Sequence, residues 1–129
     1  MTQEEKDLLL KDLCARLSYG VVVGTIDNDG SLSNFWTLDL YNRLTEDVII
    51  THCELNADEL TYFGDIRPYL FPLSSMTEEQ EMEYLNTCVS QNPLCWTLDT
   101  FDWLNENHFD YRGLIEKGLA NDATGLNIY

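Results

Sequence analysis

The stretch Arg67-Pro-Tyr-Leu-Phe-Pro-Leu-Ser-Ser-Met-Thr-Glu-Glu79 divides the chain into two parts of different character. The sequence before it predicts mostly strands, and the sequence after it predicts mostly helices. Pro68 and Pro72 fix the backbone angle φ near an extended value and disfavour helix at the residue before each of them. Because the stretch also carries large apolar residues, we expect an extended crossover that lies on the core.

The N-terminal segment predicts an amphipathic helix over residues 3–18. Thr2 and Glu5 have the spacing of a capping box, in which each residue satisfies the other's backbone N–H. At 100° per residue, one stripe of the helix is apolar and faces the core. This stripe consists of Leu9, Leu10, Leu13, Cys14 and Leu17. The polar residues outside the stripe include Lys11, Asp12 and Arg16.

Three strands are predicted between this helix and the crossover, over residues 21–26, 35–41 and 48–53. The first and third are rich in β-branched residues, and the second alternates apolar and polar side chains. Short polar links join them, including the turn Asp27–Gly30. We therefore expect a three-stranded antiparallel meander whose apolar face is covered by the N-terminal helix.

Two or three helices are predicted after the crossover. Thr77 and Gln80 form a capping box for a helix that ends at Asn92-Pro93. We expect its core face to consist of Met82, Leu85 and Val89.

A second helix is predicted over about 99–107, with Asp99 as its cap and with Phe101 and Leu104 pointing inward. A third is predicted over about 111–121, capped by Asp110. We expect its core face to consist of Leu114, Ile115 and Leu119. The last ten residues predict a loose tail, with docking of Leu126, Ile128 and Tyr129 on the core as the alternative.

The predicted fold class is α+β in a single domain of residues 1–129, since domains most often hold roughly 100–150 residues. The strand-rich part covers about 20–55 and the helical part about 77–121. Hydrophobic residues make up 44% of the chain, which is enough to build a core.

The charge of the chain restricts its partners. Seven Lys and Arg against 23 Asp and Glu give a formal net charge of −16. Without a basic patch, a surface repels nucleic-acid phosphates and anionic lipids, so we expect neither direct nucleic-acid binding nor membrane binding. Such a charge instead favours fast encounter with a partner protein that has a basic surface.

The cysteines and histidines do not predict a metal site, and no cofactor is expected. Structural zinc sites use close pairs such as Cys-x2-Cys, whereas Cys88 and Cys95 are separated by a longer segment that contains Pro93. No secretory signal precedes Cys14, so we expect reduced, buried or half-buried cysteines in the cytoplasm. The remaining soft ligands are His52, Cys53 and His108.

No pattern in the sequence predicts catalytic residues. The Asp27–Gly30 turn resembles part of a calcium loop, but Thr25 and Trp36 stand where such a loop requires acids. The segment Gly20–Gly24 lacks the third glycine of a phosphate-binding loop. We therefore expect that the protein is not an enzyme.

An aromatic segment with acidic neighbours is the candidate partner-binding site. Aromatic side chains with an acidic rim suit a basic protein surface, although in a domain of this size they are also needed to fill the core. The candidate binding residues are Trp96, Trp103, His108, Tyr111, Asp99, Asp102, Glu106 and Asp110.

Two segments carry a resemblance to known sequences. Residues 67–79, quoted above, and Phe101-Asp-Trp-Leu-Asn-Glu-Asn-His-Phe-Asp-Tyr-Arg-Gly-Leu-Ile-Glu-Lys-Gly-Leu-Ala120 resemble short uncharacterised acidic proteins of gut Bacteroidales genomes, their phages and integrated elements. The resemblance covers roughly the second half of the chain. It implies a bacterial or phage cytoplasmic setting and an accessory role, such as binding a host protein, and it transfers no site residue.

We interpret the sequence as a small non-enzymatic interaction or accessory module, encoded by a phage or mobile element, that binds a host protein. One alternative is an inhibitor that mimics nucleic acid and occupies the basic channel of a DNA- or RNA-binding protein. A second alternative is a small enzyme of unknown reaction, which would require a charged cleft containing His52 or His108.

Overall fold

A computed structural model of the chain describes residues 2–26, 32–37, 43–44, 48–52, 58–62 and 66–129. The helices are α1 (Gln3–Arg16), α2 (Glu78–Thr87) and α3 (Leu98–Glu106). The strands are β1 (Val22–Ile26), β2 (Leu32–Thr37), β3 (Arg43–Leu44), β4 (Val48–His52), β5 (Asp58–Tyr62), β6 (Ile66–Pro72), β7 (Phe109–Asp110) and β8 (Asn121–Asp122). Single 3-10 turns lie at Leu17–Tyr19, Leu73–Ser75 and Val89–Gln91. The protein is therefore α+β, as its sequence predicts.

The described strands form two sheets. In the larger sheet the strands lie in the order β2-β1-β6-β7, and β8 also pairs with β6. β1 is antiparallel to β2 and to β6, whereas β7 and β8 run parallel to β6, so the sheet is mixed. The smaller sheet is antiparallel and has the order β3-β4-β5.

The predicted three-stranded meander is not confirmed. The third predicted strand forms β4, but β4 pairs with β3 and β5, and the second edge of β1 is taken by β6. The prediction relied on consecutive strands being neighbours, which is a tendency that a long-range pairing can override. The Asp27–Gly30 turn and residues 38–41 of the second predicted strand lie outside the described residues.

Residues 67–72 of the predicted crossover are extended as expected, but they belong to a strand inside the larger sheet, and the turn at Leu73–Ser75 and the start of α2 follow them. Ile66 to Pro68 pair with β1, and the partners then change: Tyr69 and Leu70 pair with β8, and Phe71 and Pro72 with β7. Pro68 has no N–H to donate, and it stands where the pairing with β1 ends. A proline at that point is compatible with a central strand, which the sequence argument did not consider.

The first helix covers one face of the larger sheet. Its predicted capping box is confirmed, since the Glu5 N–H donates to Thr2 Oγ1 (3.1 Å) and the Thr2 N–H donates to Glu5 Oε1 (3.2 Å). One cluster of buried residues joins this helix to β1, β6 and the C-terminal segment. It consists of Leu9, Leu13, Val21, Val23, Ile66, Leu70, Leu114, Leu119 and Ala120.

Three residues of this helix contradict the predicted stripe. Cys14 is exposed, whereas Asp12 and Arg16, which were assigned to the polar side, are fully buried. The prediction assumed that only apolar side chains face the interior, but paired charges can be buried together.

The second helix begins at the predicted capping box of Thr77 and Gln80. Its predicted core face is wrong in part, because Met82 is 67% exposed and Val89 lies beyond the helix end and is also exposed. The half-buried face of α2 is instead turned toward α3, where the Tyr84 ring lies 6.1 Å from the Trp103 ring.

The third helix, α3, begins one residue earlier than predicted. Thr97, not Asp99, is its cap, and it forms a capping box with Thr100. Leu104 is fully buried as predicted, but Phe101 is 40% exposed.

The predicted helix over about 111–121 does not form. Residues in this segment make turns, and Gly113 and Gly118 adopt positive φ angles of 73° and 72°. The Asp110 carboxylate accepts hydrogen bonds from the N–H groups of Leu114 (3.0 Å) and Ile115 (2.9 Å), so it holds a wide turn rather than a helix end.

The C-terminal residues are docked rather than loose. Asn121 and Asp122 pair with β6, and the Ala123 N–H donates to the Leu70 carbonyl (2.8 Å). The Tyr129 hydroxyl donates to the Tyr69 carbonyl (2.6 Å) and accepts from the Val22 N–H (2.9 Å).

No helix in the described part of the chain is long and apolar enough to cross a membrane.

Candidate functional site

An aromatic cluster links α2, α3 and the strands beside them. The Trp96 ring contacts Phe101 (5.3 Å) and Tyr111 (5.9 Å) edge to face, and Trp103 stacks on Phe109 (5.5 Å between centroids). These distances lie in the range at which aromatic pairs attract each other. The connected rings are those of Phe71, Tyr84, Trp96, Phe101, Trp103, His108, Phe109, Tyr111 and Tyr129.

Hydrogen bonds fix the orientation of these rings. The Trp96 Nε1–H donates to the Tyr84 hydroxyl (2.6 Å) and to the Pro93 carbonyl (2.8 Å), and the Tyr84 hydroxyl also donates to that carbonyl. The loop between α2 and α3 is thereby tied to α2. Burial raises the pKa of the Tyr84 hydroxyl, which stays protonated and available as a donor.

A buried ion pair supports the cluster from the side of α1. Arg16 donates to both carboxylate oxygens of Asp12 (2.8 and 3.1 Å) and to the Phe109 carbonyl (2.7 Å). The Arg16 and Arg112 guanidinium groups lie 5.3 and 5.0 Å from the centroid of the Tyr111 ring. These contacts bind α1 to the segment that carries the aromatic side chains.

One edge of the aromatic cluster leaves large apolar side chains in solvent. Leu98 is 76% exposed and Phe101 is 40% exposed, and they lie three residues apart on α3 with Trp96 against Phe101. We call Trp96, Leu98 and Phe101 the α3 patch. Leu94, in the loop before it, is 89% exposed. Adjacent exposed apolar side chains of this size are typical of protein-binding surfaces.

Carboxylates lie beside this patch. Asp99, Asp102 and Glu106 are all exposed on α3. No lysine or arginine occurs between Pro68 and Tyr111, so no side chain from this segment neutralises them. The acidic residues of the same segment are Glu78, Glu79, Glu81, Glu83, Asp99, Asp102, Glu106 and Asp110.

Two open grooves lie on either side of the turn at Leu73 and Ser74. One, of about 290 Å³, has Tyr84 and Glu81 in its wall, and the other, of about 360 Å³, has Tyr111 in its wall. Members of the aromatic cluster thus form part of both grooves. The exposed Glu116 also lines the second groove.

His108 lies at the far end of the cluster from the α3 patch. Its ring stacks on Tyr129 at 3.6 Å, and its Nδ1 is buried without a hydrogen-bond partner. Burial, together with the positive charge of Arg16, lowers the pKa of His108 to about 4. Burial also raises the pKa of Tyr129 to about 12. At neutral pH both rings are therefore uncharged.

The predicted site residues thus divide into three groups. Trp96, Trp103 and Tyr111 belong to one aromatic cluster, and the acids of α3 are exposed next to it. His108 belongs to the C-terminal end of the cluster, where it packs on Tyr129. Asp110 is buried, and its carboxylate accepts hydrogen bonds from two backbone N–H groups. This carboxylate is therefore not part of the acidic surface.

Sequence reasoning missed Leu94 and Leu98, which are the most exposed large apolar side chains in the described part of the chain. For Leu98 a signal was present. At 100° per residue, Leu98 lies about 120° away from the buried Leu104 around α3, so it cannot share the core face. For Leu94 the loop sequence alone gave no such signal.

The described histidines, cysteines and acids are not arranged as a metal site. They contain no group of three or more His, Cys, Asp or Glu side chains placed to share a metal ion. Cys14, Cys88 and Cys95 carry free thiols, of which only Cys88 is buried. Cys53 lies outside the described residues.

Comparisons with known proteins supply no functional assignment. No model of a protein family matches the sequence, and searches of curated proteins and of solved structures found no similar protein.

Proposed function

We propose that this protein is a small acidic interaction module that binds a partner protein through the α3 patch and the carboxylates beside it. The exposure of Leu98 and Phe101 carries the proposal, because water around large apolar side chains is costly and a partner surface would release it. The rigid aromatic cluster behind the patch reduces the entropy that binding would cost.

The setting of this activity is part of the same proposal. The resemblance of residues 67–79 and 101–120 to proteins of phages and integrated elements supports an accessory role directed at a host protein. The net charge of −16 supports a partner with a basic surface, since opposite charges accelerate encounter.

A mimic of nucleic acid is the second candidate function. The uninterrupted acidic segment from Glu78 to Asp110, which contains no lysine or arginine, favours it. A mimic of phosphates would bind through carboxylates alone, whereas the interaction module also requires Leu94 and Leu98. The two functions therefore differ in which substitutions abolish binding.

The test is a pull-down with purified, tagged protein from lysate of the bacterium that carries the gene. We expect the double variant Leu94→Ser/Leu98→Ser to lose a partner that the unchanged protein retains. The matched control is Met82→Ser/Leu126→Ser, which also removes two exposed apolar side chains but leaves every residue of the α3 patch unchanged. Equal retention by the two double variants would contradict the proposal.

The same experiment separates the mimic from the interaction module. Loss of the partner at high salt together with full retention by Leu94→Ser/Leu98→Ser would support the mimic, because screening weakens exposed charge contacts and leaves apolar contacts intact.

A further inference from the structure

We propose that the element recognised by the α3 patch is an amphipathic helix whose apolar stripe is bordered by lysine or arginine. The inference rests on the proposed function and names the chemical class of its partner. The partner helix lies alongside α3, with its apolar stripe on the α3 patch and its cations facing the acids of α3.

The exposed side of α3 consists of two adjacent stripes. Measured around the helix from Leu98, Phe101 lies about 60° to one side, and the three acids lie about 40–100° to the other side. These acids are Asp99, Asp102 and Glu106. An apolar stripe with charges along one edge is the pattern by which paired helices recognise each other.

The inner side of α3 is already occupied. Thr100 and Leu104 are fully buried. Asn105 falls in the exposed sector, but it is covered by Tyr111, whose hydroxyl donates to Asn105 Oδ1 (3.0 Å). The apolar stripe is therefore confined to the first half of α3 and to the loop that holds Leu94.

The charges on the protein decide what kind of helix fits. The first basic residue after the acidic segment is Arg112, whose guanidinium contacts Asp12 (3.3 Å) and the Tyr111 hydroxyl (3.3 Å). The ion pairs between described residues join Arg16 and Arg112 to Asp12 and involve none of the α3 carboxylates, so in this proposal the partner supplies the neutralising cations. A second copy of this chain would bring the same acids and a charge of −16 to the contact.

The spacing of the acids defines the spacing of the cations. Asp99, Asp102 and Glu106 are separated by three and four residues and extend over about 10 Å of helix. A partner helix that lies alongside them needs cations at the same spacing on one edge of its apolar stripe. A partner segment in extended conformation with basic residues could pair with the α3 acids, but it would not present a helical apolar stripe to the α3 patch.

The experiment uses the whole protein and three synthetic helical peptides of about 18 residues, or five turns. The first has a leucine stripe with lysines along one edge, the second has glutamates in place of the lysines, and the third has the first composition in scrambled order. Binding is measured by fluorescence anisotropy at low and high salt. We expect the first peptide to bind at least about tenfold more tightly than either of the others, a difference of about 1.4 kcal/mol.

Matched charge variants test whether the α3 acids are the ones that bind. Asp102→Asn/Glu106→Gln should weaken binding of the lysine peptide about tenfold, whereas Asp7→Asn/Glu4→Gln, on the exposed side of α1, should change it less than about twofold. Circular dichroism and thermal unfolding check that all variants fold. Equal effects of the two pairs would overturn the inference, because only the overall charge would then matter.

The second part of the experiment uses variants that lack one exposed apolar side chain. Leu98→Ser should weaken binding of the lysine peptide, and Met82→Ser, which is also largely exposed, should not. Equal binding by the scrambled peptide would overturn the inference. A dimer of the unchanged protein in light scattering that Leu98→Ser dissociates would overturn it as well, because the patch would then bind a second copy.

The two proposals fail in different ways. If Leu94→Ser/Leu98→Ser loses the partner from lysate but no lysine peptide binds, the interaction module stands and the basic helix is wrong. If this double variant retains the partner, the proposed function itself is wrong.

Discussion

The helices α1 and α3 distribute their polar and apolar side chains in opposite ways. α1 buries two charged residues, Asp12 and Arg16, with no exposure to solvent, whereas α3 exposes Leu98 and part of Phe101. In α1 Arg16 pairs with Asp12 and donates to the Phe109 carbonyl, while its Nη1 is buried without a hydrogen-bond partner. In α3 the exposed apolar side chains have no such compensation in the described part of the chain.

The buried charges of α1 have a structural explanation, whereas the exposed apolar side chains of α3 favour binding to a partner. A buried charge that is paired with an opposite charge and hydrogen-bonded to a second segment holds two parts of the fold together. An exposed apolar side chain gains from a partner that removes it from water. The contacts of α1 hold the aromatic cluster in place, and the exposure of Leu98 on α3 supports the proposal that α3 binds a partner.

The largest effect is expected from breaking the buried pair of α1. Asp12→Asn removes the carboxylate that pairs with the buried guanidinium of Arg16, and no other carboxylate among the described residues takes its place. We expect the free energy of unfolding to fall by about 3–5 kcal/mol. Denaturant titration measures this change.

Asp7→Asn is the control for this substitution, since Asp7 is exposed on the same helix. It should change the free energy of unfolding by less than about 0.5 kcal/mol. Similar losses in the two variants would show that the helix needs acidic residues in general and would contradict a specific role of the buried pair.

Local signals made part of the fold predictable. The capping boxes at Thr2 and Thr77 depend on residues three positions apart, so the sequence located the starts of α1 and α2 correctly. The third predicted helix failed because Gly113 and Gly118 take positive φ angles and Asp110 binds N–H groups four and five residues ahead. Nothing in the apolar spacing of that segment distinguishes such a turn from a helix.

The pairing of β6 depends on residues far away in the sequence. The prolines predicted extended backbone there, but the sequence did not reveal that Pro68 would be the last residue of β6 to pair with β1. For the candidate site, residue types were enough to select the aromatic segment. The burial of Asp110 and the exposure of Leu94 follow from tertiary contacts, so residue types could not reveal them.

A smaller effect is expected from the titration of His108, whose pKa is lowered by burial and by the positive charge of Arg16. Its folded pKa of about 4 lies below the ordinary value of 6.5, so the unfolded chain binds more protons between these values. The free energy of unfolding should therefore fall as the pH decreases from about 6.5 toward 4. Below about pH 4, His108 is protonated in both the folded and the unfolded chain, and the loss of stability from its titration is complete.

The variant His108→Asn removes this titration, and asparagine tolerates the positive φ of 63° at this position. Because His108 is partly exposed, we expect a loss of only about 1 kcal/mol between pH ~7 and pH ~5 in the unchanged protein relative to the variant. Denaturant titrations at the two pH values measure it. An identical pH dependence in both proteins would contradict the assigned pKa.

The smallest effect on stability is expected at the α3 patch, whereas the largest is expected at the buried pair of α1. Leu98→Ser removes a large apolar side chain that is already 76% exposed, so the free energy of unfolding should change by less than about 0.5 kcal/mol. Leu104→Ala, on the buried side of the same helix, should lose about 2–5 kcal/mol. A loss at Leu98 as large as that at Leu104 would mean that Leu98 packs within the fold. Stability retained at Leu98 would instead agree with the proposal that this leucine binds a partner.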